Sequence, residues 1–592
     1  MDPSPTPSSG FWSGPGALLA GLLHGLLLIL MFPPVGLWPL AFVAIIPLAL
    51  AAAWGCGRPW RAGLLAAAGV LPAWLFEQRW MIDVTAVGYP LLAISQALMT
   101  GAFVTIVALA CPRLGRLALP AVVIPVAWVG MECFRAKLFF TGYPWYLASH
   151  PLIEWPILAA PAAWIGALGV SFLVAMIAGA AVALLHPTAP SRRLGLGMLG
   201  TAAAIWGLAA LLRTPPADPA APTARIAVIQ TNVPQSNKIG WSISRRLADW
   251  RRFEELTLAA AAQSPRPDLI VWPETMFPGE TLNPDAVEAM RRAGLVWADQ
   301  RLPFTYFADR LVELQRSIGI PMLIGAIAMD DFAVRDAGGG SVEIDFSARY
   351  NSAFLVRDGA VQHDRYDKIN LTPFGEVIPY LWRWPAIQNF VVGVGAAGMR
   401  FDLTHGTRRF IFEVPLSPDA DGRPRPPLKL ATPICFEATM PEVCRALAYR
   451  DGRLAADLLI NLSNDGWFNS ATGGREQHLQ AARWRTVELA LPMVRAVNTG
   501  ISASVDRSGR RLASGPDGAD QDARVDGILT TDVPVGVAPG GPGTFYGRTG
   551  DIVGWGALAA MVLLLAGCAA VRRLSPASGG QTGGATHGSG GV

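Results

Sequence analysis

Two architectures share this chain: a multi-pass α-helical membrane domain, and a layered α/β domain placed ahead of the last of eight spans. Three observations predict this. The 592 residues are 52% hydrophobic and 16% charged, against a usual charged fraction of about 25%. The long uncharged runs are segregated, lying before residue 214 or after residue 550. Between them, short β-rich runs alternate with helix-like stretches and Pro/Gly punctuation, the pattern of a layered α/β domain.

Residues 1–213 make the membrane domain. Seven apolar windows, at about 11–31, 37–54, 60–76, 86–111, 118–133, 157–186 and 194–213, approach or exceed the roughly 20 helical residues that cross a bilayer core. An eighth, at about 551–571, marks a C-terminal span over 551–573. Residues 1–10 are Pro/Ser-rich without Lys or Arg, so the first span is expected to stay in the mature protein rather than leave as a signal peptide.

Orientation follows from the short loops. With the N-terminus inside, the inner loops and flanks carry Arg58, Arg61, Arg113, Arg116, Arg192, Arg193, Arg572 and Arg573, and the outer ones carry Arg79, Arg135, Lys137 and Arg213. Inner cations outnumber outer ones two to one, as the positive-inside rule requires. Seven spans then deliver the α/β domain to the outer face, and the eighth returns the C-terminus. In a bacterium this is a multi-pass inner-membrane protein with a periplasmic domain and cytoplasmic termini. The Gly/Ser-rich stretch 574–592 is expected to be a disordered cytoplasmic tail.

The outer loop after the fifth span is unusual. Glu132, Arg135 and Lys137 precede Phe139-Phe140-Thr141-Gly142-Tyr143-Pro144-Trp145-Tyr146. Its aromatics suit an interfacial belt. Alternatively, Arg135, Lys137, Tyr143 and Trp145 meet a lipid head group.

The proline-dense 214–219 marks the boundary of the α/β domain, residues 222–535. Strands are expected at 225–230, 268–272, 321–326, 350–357, 410–414, 428–434, 457–462, 493–497 and 501–505, with helices at 243–263, 304–318 and 475–491. The net charge of +4 is modest, and no basic stripe is interleaved with aromatics, so nucleic acid is not an expected partner. Six cysteines include no CxxC pair, which argues against a zinc knuckle or disulfide framework, and no His/Asp/Glu cluster has metal-ligand spacing. Cys435 and Cys444 alone belong to the α/β domain, and an oxidising compartment would permit them to pair.

Three strand ends in this domain present a carboxylate, an amine and a thiol. Val271-Trp272-Pro273-Glu274 closes on a glutamate after a proline that cannot extend the ladder. Tyr366-Asp367-Lys368 leads into Leu371-Thr372-Pro373-Phe374-Gly375-Glu376. Lys429 to Ile434 ends in Cys435-Phe436-Glu437, a junction able to hold a thiol exposed above a sheet. By itself such a cysteine reads first as a buried small hydrophobe. His478, ahead of a helical run, reads as a polar contact rather than a catalyst.

These three stretches, in this order, resemble the carbon–nitrogen hydrolase (nitrilase) superfamily. Framed by seven spans before and one after, nearly the whole chain resembles the family of apolipoprotein N-acyltransferases. The resemblance implies an αββα sandwich and a Glu-Lys-Cys triad: Glu274 as general base, Lys368 as the lysine, Cys435 as the nucleophile. Glu376 falls on the family's second glutamate, and Phe436 and Glu437 on the aromatic and acid after the nucleophile, where tyrosine is commoner than Phe436.

The implied reaction moves an acyl chain from a membrane phospholipid, through a Cys435 thioester, to the N-terminal amine of the diacylglyceryl-cysteine of an apolipoprotein. No cofactor or metal is expected, and the chain is expected to act as a monomer in the lipid bilayer. Two other readings stay open: a membrane-anchored amidase that resolves its thioester with water, and an inactive scaffold. The apolar, glycine-bearing stretch 377–395, with Trp382 and Trp384 as candidate lipid contacts, is expected to be a lid that admits acyl chains.

Overall fold

The computed structural model describes residues 9–83, 85–86, 88–110, 119–186, 188–212, 222–234, 241–297, 301–338, 341–373, 375–377, 403–418, 421–468, 472–515, 525–535 and 543–574. The linker 214–219, most of the expected lid with Trp382 and Trp384, and the tail from residue 575 lie outside the described residues.

Helices occupy each apolar window: Pro15–Met31 (α1), Ile46–Trp54 (α2), Pro59–Glu77 (α3), Gly88–Ala110 (α4), Leu119–Lys137 (α5), Ala162–Leu185 (α6), Ala189–Leu212 (α7) and, at the C-terminal end, Ile552–Leu574 (α12). Among the described residues, four of these are long and apolar enough to cross a membrane: α4, α6, α7 and the Ile552–Ala570 part of α12. The second window is broken at Ile45, because Pro47 has no N–H to bond back into the preceding turn. The sixth window also divides, into Pro156–Ala159 and α6.

Within α6, Gly166 has φ +69, and a Cβ there would lie 2.5 Å from the Tyr546 ring. Only glycine fits both constraints. The kink frees the Ala167 N–H, which donates to Glu488 of the α/β domain at 2.9 Å.

The α/β domain holds two six-stranded sheets. The strands of these two sheets are Thr223–Gln230 (β1), Leu269–Trp272 (β2), Met322–Asp330 (β3), Ala348–Arg357 (β4), Ala360–Asp367 (β5), Ile411–Val414 (β6), Leu428–Ala431 (β7), Leu458–Ser463 (β8), Met493–Val497 (β9), Ala503–Val505 (β10), Arg511–Ser514 (β11) and Gly527–Pro534 (β12). The first sheet runs β12-β1-β2-β3-β4-β5 and the second β6-β7-β8-β9-β10-β11. In each, a parallel centre (β1-β2-β3, β7-β8-β9) is flanked by antiparallel edges.

Alternation sorts the first sheet's side chains. Ala224, Ile226, Val228, Leu269, Val271, Leu323, Ala353 and Leu355 face the second sheet. Their neighbours Ala227, Ile229, Ile270, Trp272, Met322, Ile324, Phe354 and Val356 pack against Trp250 and Phe253 of helix Ile243–Ala261 (α8) and Leu311 of helix Tyr306–Ile318 (α9). Helices Pro441–Ala448 (α10) and Thr472–Leu489 (α11) cover the second sheet with Cys444, Leu447, Leu479 and Ala482. The result is an αββα sandwich.

The sandwich docks on the helical domain through α11 and the turn after β7. Trp484 donates to the His150 carbonyl at 3.2 Å, Gln477 to Glu77 Oε2 at 2.7 Å, and Arg483 pairs with Glu154 at 2.7 Å. Phe436, Met440, Phe468 and Trp484 belong to the same apolar core as the membrane-domain helices.

Candidate active site

The three strand ends converge. Glu274 stands two residues past β2, Lys368 directly follows β5, and Cys435 opens the short helical turn Cys435–Thr439 after β7. All three are buried, Lys368 to 1% exposure and Glu274 to 5%. The Lys368 Nζ donates to Glu376 Oε2 at 2.6 Å, Thr372 Oγ1 at 3.2 Å and Glu274 Oε1 at 3.5 Å. The second Glu274 oxygen is buried and has no hydrogen-bond partner among the described residues.

Burial acts to lower the Lys368 pKa, but the carboxylates of Glu376 and Glu274 outweigh it and hold the ammonium well above the usual lysine range. Glu376 shows the converse: burial acts to raise it, and Lys368 brings it below the ordinary value. The Cys435 thiol is pushed well up, by burial first and then by the Glu274 charge, with Lys368 opposing. In the resting site it is a neutral thiol that needs a base.

Cys435 has φ +53, in the left-handed region that costs a non-glycine residue about 1–2 kcal/mol. Three contacts hold this turn. Asn461 donates to the carbonyls of Pro433 at 3.0 Å and Cys435 at 3.3 Å. Glu437 turns back to accept the Ile434 N–H at 2.8 Å. Its other oxygen accepts the N–H groups of Ile369 and Asn370, each at 2.8 Å, and the Tyr366 hydroxyl bonds both oxygens at 2.9 and 3.0 Å. Glu437 therefore staples the lysine loop to the thiol turn. Burial pushes its pKa up to about 7, against the backbone N–H groups of Asn370 and Ile434.

Sequence reasoning missed Asn351, whose amide nitrogen bonds Glu274 and Glu376. The available signal was a polar Asn351-Ser352 pair leading into the apolar run 353–356 of the same strand. Asn461, also unforeseen, carries the same signal in β8. Cys444 is a free thiol buried in α10, donating to the Glu437 carbonyl at 3.3 Å, so the pairing with Cys435 does not form. His478 contacts Asp465 at 3.0 Å and Arg495 at 2.9 Å.

The loop after α5 lies beside the α/β domain, and Arg135, Lys137, Tyr143 and Trp145 meet protein there. Arg135 donates to the Tyr146 carbonyl at 2.9 Å, and the Tyr143 hydroxyl to Gln78 at 3.0 Å. Trp145, 2% exposed, packs against Trp80, Phe468 and His478. Lys137 pairs with Glu442 and with Asp551 at 3.0 Å.

Comparison with known proteins bears on both halves. Residues 24–180 match the apolipoprotein N-acyltransferase N-terminal domain, and residues 225–538 match the carbon-nitrogen hydrolase family. The chain is similar to apolipoprotein N-acyltransferases of Geobacter metallireducens (29% identical, covering 93% of this chain and 94% of the relative) and Sinorhizobium fredii (30%, 84% and 87%). That of Bradyrhizobium diazoefficiens is 30% identical, covering 73% of this chain and 70% of the relative. Among solved structures, an amidase from Nesterenkonia sp. aligns with 54% of this chain and 92% of its own, at 16% identity and a TM-score of 0.31.

Proposed function

We infer the reaction from membership: the chain belongs to the apolipoprotein N-acyltransferase family, and it is an acyltransferase that N-acylates lipoproteins. We propose that the work is done by a Glu274-Lys368-Cys435 triad in two steps. Glu274 removes the Cys435 proton as sulfur attacks the ester carbonyl of a phospholipid. The Lys368 ammonium and the Phe436 N–H stabilise the oxyanion. Collapse expels the lysophospholipid alkoxide, which takes the proton from Glu274 and leaves a thioester. The free α-amine of a diacylglyceryl-modified cysteine then attacks that thioester. Glu274 collects the amine proton and returns it to the departing Cys435 sulfur, and an amide is released.

The observation that carries this reading is the buried Lys368 ammonium, 2.6 Å from Glu376 and 3.5 Å from Glu274. A cation fixed between carboxylates is pre-organised for an oxyanion and takes no part in proton transfer itself. The adjacency of Cys435, in the core between the sheets, to Phe436, in the membrane-domain core, supports lipid delivery to the thiol. Neither a water-resolved amidase nor an inert scaffold accounts for the match of the helical half to its own family domain.

The same proposal includes the topology: eight spans in a bacterial inner membrane, a periplasmic α/β domain, cytoplasmic termini, and a monomer acting on both lipid substrates in the bilayer. Mass spectrometry of the Cys435 peptide after incubation with phospholipid tests the chemistry. An acyl adduct released by a diacylglyceryl lipopeptide is the expected result. Release by water alone, or an unchanged adduct in Cys435→Ser, would sink it. Labelling of single cysteines placed in residues 222–535 by an impermeant thiol reagent on whole cells tests the topology.

A further inference from the structure

The last turn of α5 and the starts of α10 and α12 meet beside a cleft of about 500 Å3, and none of its lining residues belongs to the thiol site. Its charges are unevenly matched. Lys137 engages Glu442 through Oε1 and Asp551 at 3.0 Å, leaving the second Glu442 oxygen on a side chain that is 46% exposed. Arg445 has no carboxylate partner among the described residues. Its guanidinium reaches the Gly547 carbonyl at 3.4 Å, and its buried Nε has no hydrogen-bond partner among the described residues. A buried guanidinium N–H calls for an acceptor, and an anionic one binds it best.

Two further features shape the cleft. Gly550, at φ +74, puts no side chain over the guanidinium, where a Cβ would stand 3.4 Å from Arg445 Cζ. Ile552 and Trp555, 56% and 46% exposed, form an apolar wall, and the exposed face of α12 continues through Val562 and Leu563. The wall thus leads from the polar cleft down a helix long and apolar enough to cross a membrane.

We propose that this cleft binds the head group of a zwitterionic phospholipid, with its phosphate on Arg445, its amine on Glu442 and its acyl chains along Ile552, Trp555 and the α12 face. A phosphate supplies the missing acceptor in a bidentate geometry suited to arginine. A head-group ammonium suits the half-exposed carboxylate. A tryptophan at the top of a span suits the interfacial depth at which a head group lies.

Photo-crosslinking of the full-length protein in micelles tests this. The probes are a phosphatidylethanolamine, a phosphatidylglycerol and a diacylglycerol, each with a photoreactive group near the glycerol. Phosphatidylethanolamine should label the peptide spanning residues 545–556, and diacylglycerol should not. Arg445→Gln should lower labelling by both phospholipids about tenfold, the scale of one lost charge-assisted contact. Glu442→Gln should lower it for phosphatidylethanolamine alone. Gly556→Phe serves as a second variant, because no atom of the described residues lies within 4 Å of a Cβ there; it should block the cleft without disturbing the fold, and so abolish labelling. Equal labelling by diacylglycerol, labelling unchanged in Arg445→Gln, or labelling retained in Gly556→Phe would each overturn the proposal.

Discussion

Asn351 donates from its side-chain nitrogen to Oε1 of Glu274 at 2.7 Å, and the second hydrogen of the same nitrogen reaches Glu376 Oε1 at 3.0 Å. One amide thus spans the two carboxylates that flank Lys368. Asn351→Ala removes a hydrogen bond to each; one bond to a charged group is worth about 1.5–3 kcal/mol. Thioester formation on Cys435 should slow by about 10- to 100-fold. Asn351→Asp should be worse, since it places a third carboxylate against two. Rapid-quench measurement of the acyl-enzyme checks both, and an Asn351→Ala rate equal to wild type would remove Asn351 from the site.

Glu376 and Glu437 should separate in their effects. Glu376 is bonded to the reacting cation; Glu376→Gln removes the largest influence holding the Lys368 pKa up. That variant should fold normally, lose most acyl-enzyme formation, and gain an alkaline limb in its pH profile as Lys368 deprotonates earlier. Glu437 spends its oxygens on three backbone N–H groups and Tyr366. Glu437→Gln turns an amide N–H2 toward those donors, at about 1–3 kcal/mol for each unmade bond. Its signature should be a lowered melting temperature, and Tyr366→Phe should show a milder form of it.

Much of this was legible in the sequence, for identifiable reasons. β2 and β3 are apolar runs, and β8 and β9 are apolar runs broken only by Asn461 and Arg495 in their interiors, each strand with a Pro or Asn at one end or both, so their positions could be read directly. β5, Ala-Val-Gln-His-Asp-Arg-Tyr-Asp, is an edge strand with polar residues on most positions, and only its end at Asp367 was visible. β11 and β12 escaped for related reasons: the first is short and largely exposed, and the second alternates too weakly to stand out. The triad residues were legible as three motifs, because each ends a strand. Asn351 and Asn461 were not, because their partners lie 77 and 26 to 28 residues away. The partners of Arg135 and Lys137 were hidden for the same reason, since Glu442 of α10 and Asp551, just ahead of α12, supply those of Lys137 from across the fold.

The thiol should be unreactive at rest. Burial, and then the Glu274 charge, hold its pKa well above the ordinary thiol range, so little of Cys435 is thiolate at pH 7. Alkylation by iodoacetamide should be slow at pH 7 and rise about tenfold per pH unit through pH 9, in proportion to the thiolate. Glu274 raises the Cys435 pKa, so Glu274→Gln should speed alkylation at any given pH. The same variant should slow acyl-enzyme formation, because the proton acceptor is gone. Opposite signs for the two rates identify Glu274 as base; a fall in both would identify it as a residue that merely shapes the site.

The Lys137 clamp joins three segments, and burial decides which of its two pairs matters. Lys137 and Asp551 have side chains 5% and 3% exposed, at 3.0 Å, whereas Glu442 is 46% exposed. A half-exposed carboxylate contributes about 0–1 kcal/mol, so Glu442→Gln should barely move the melting temperature in detergent. Lys137→Met leaves the buried Asp551 charge unpaired, at about 3–5 kcal/mol, and should lower it substantially. Pairing the change with Asp551→Leu removes the stranded charge, and the double variant should recover most of the loss, because an apolar pair of similar volume can replace a buried ion pair. Thermal unfolding of the four proteins closes the cycle. If the double variant melts no higher than Lys137→Met, then packing along α5 and α12, and not the ion pair, holds the C-terminal helix in place.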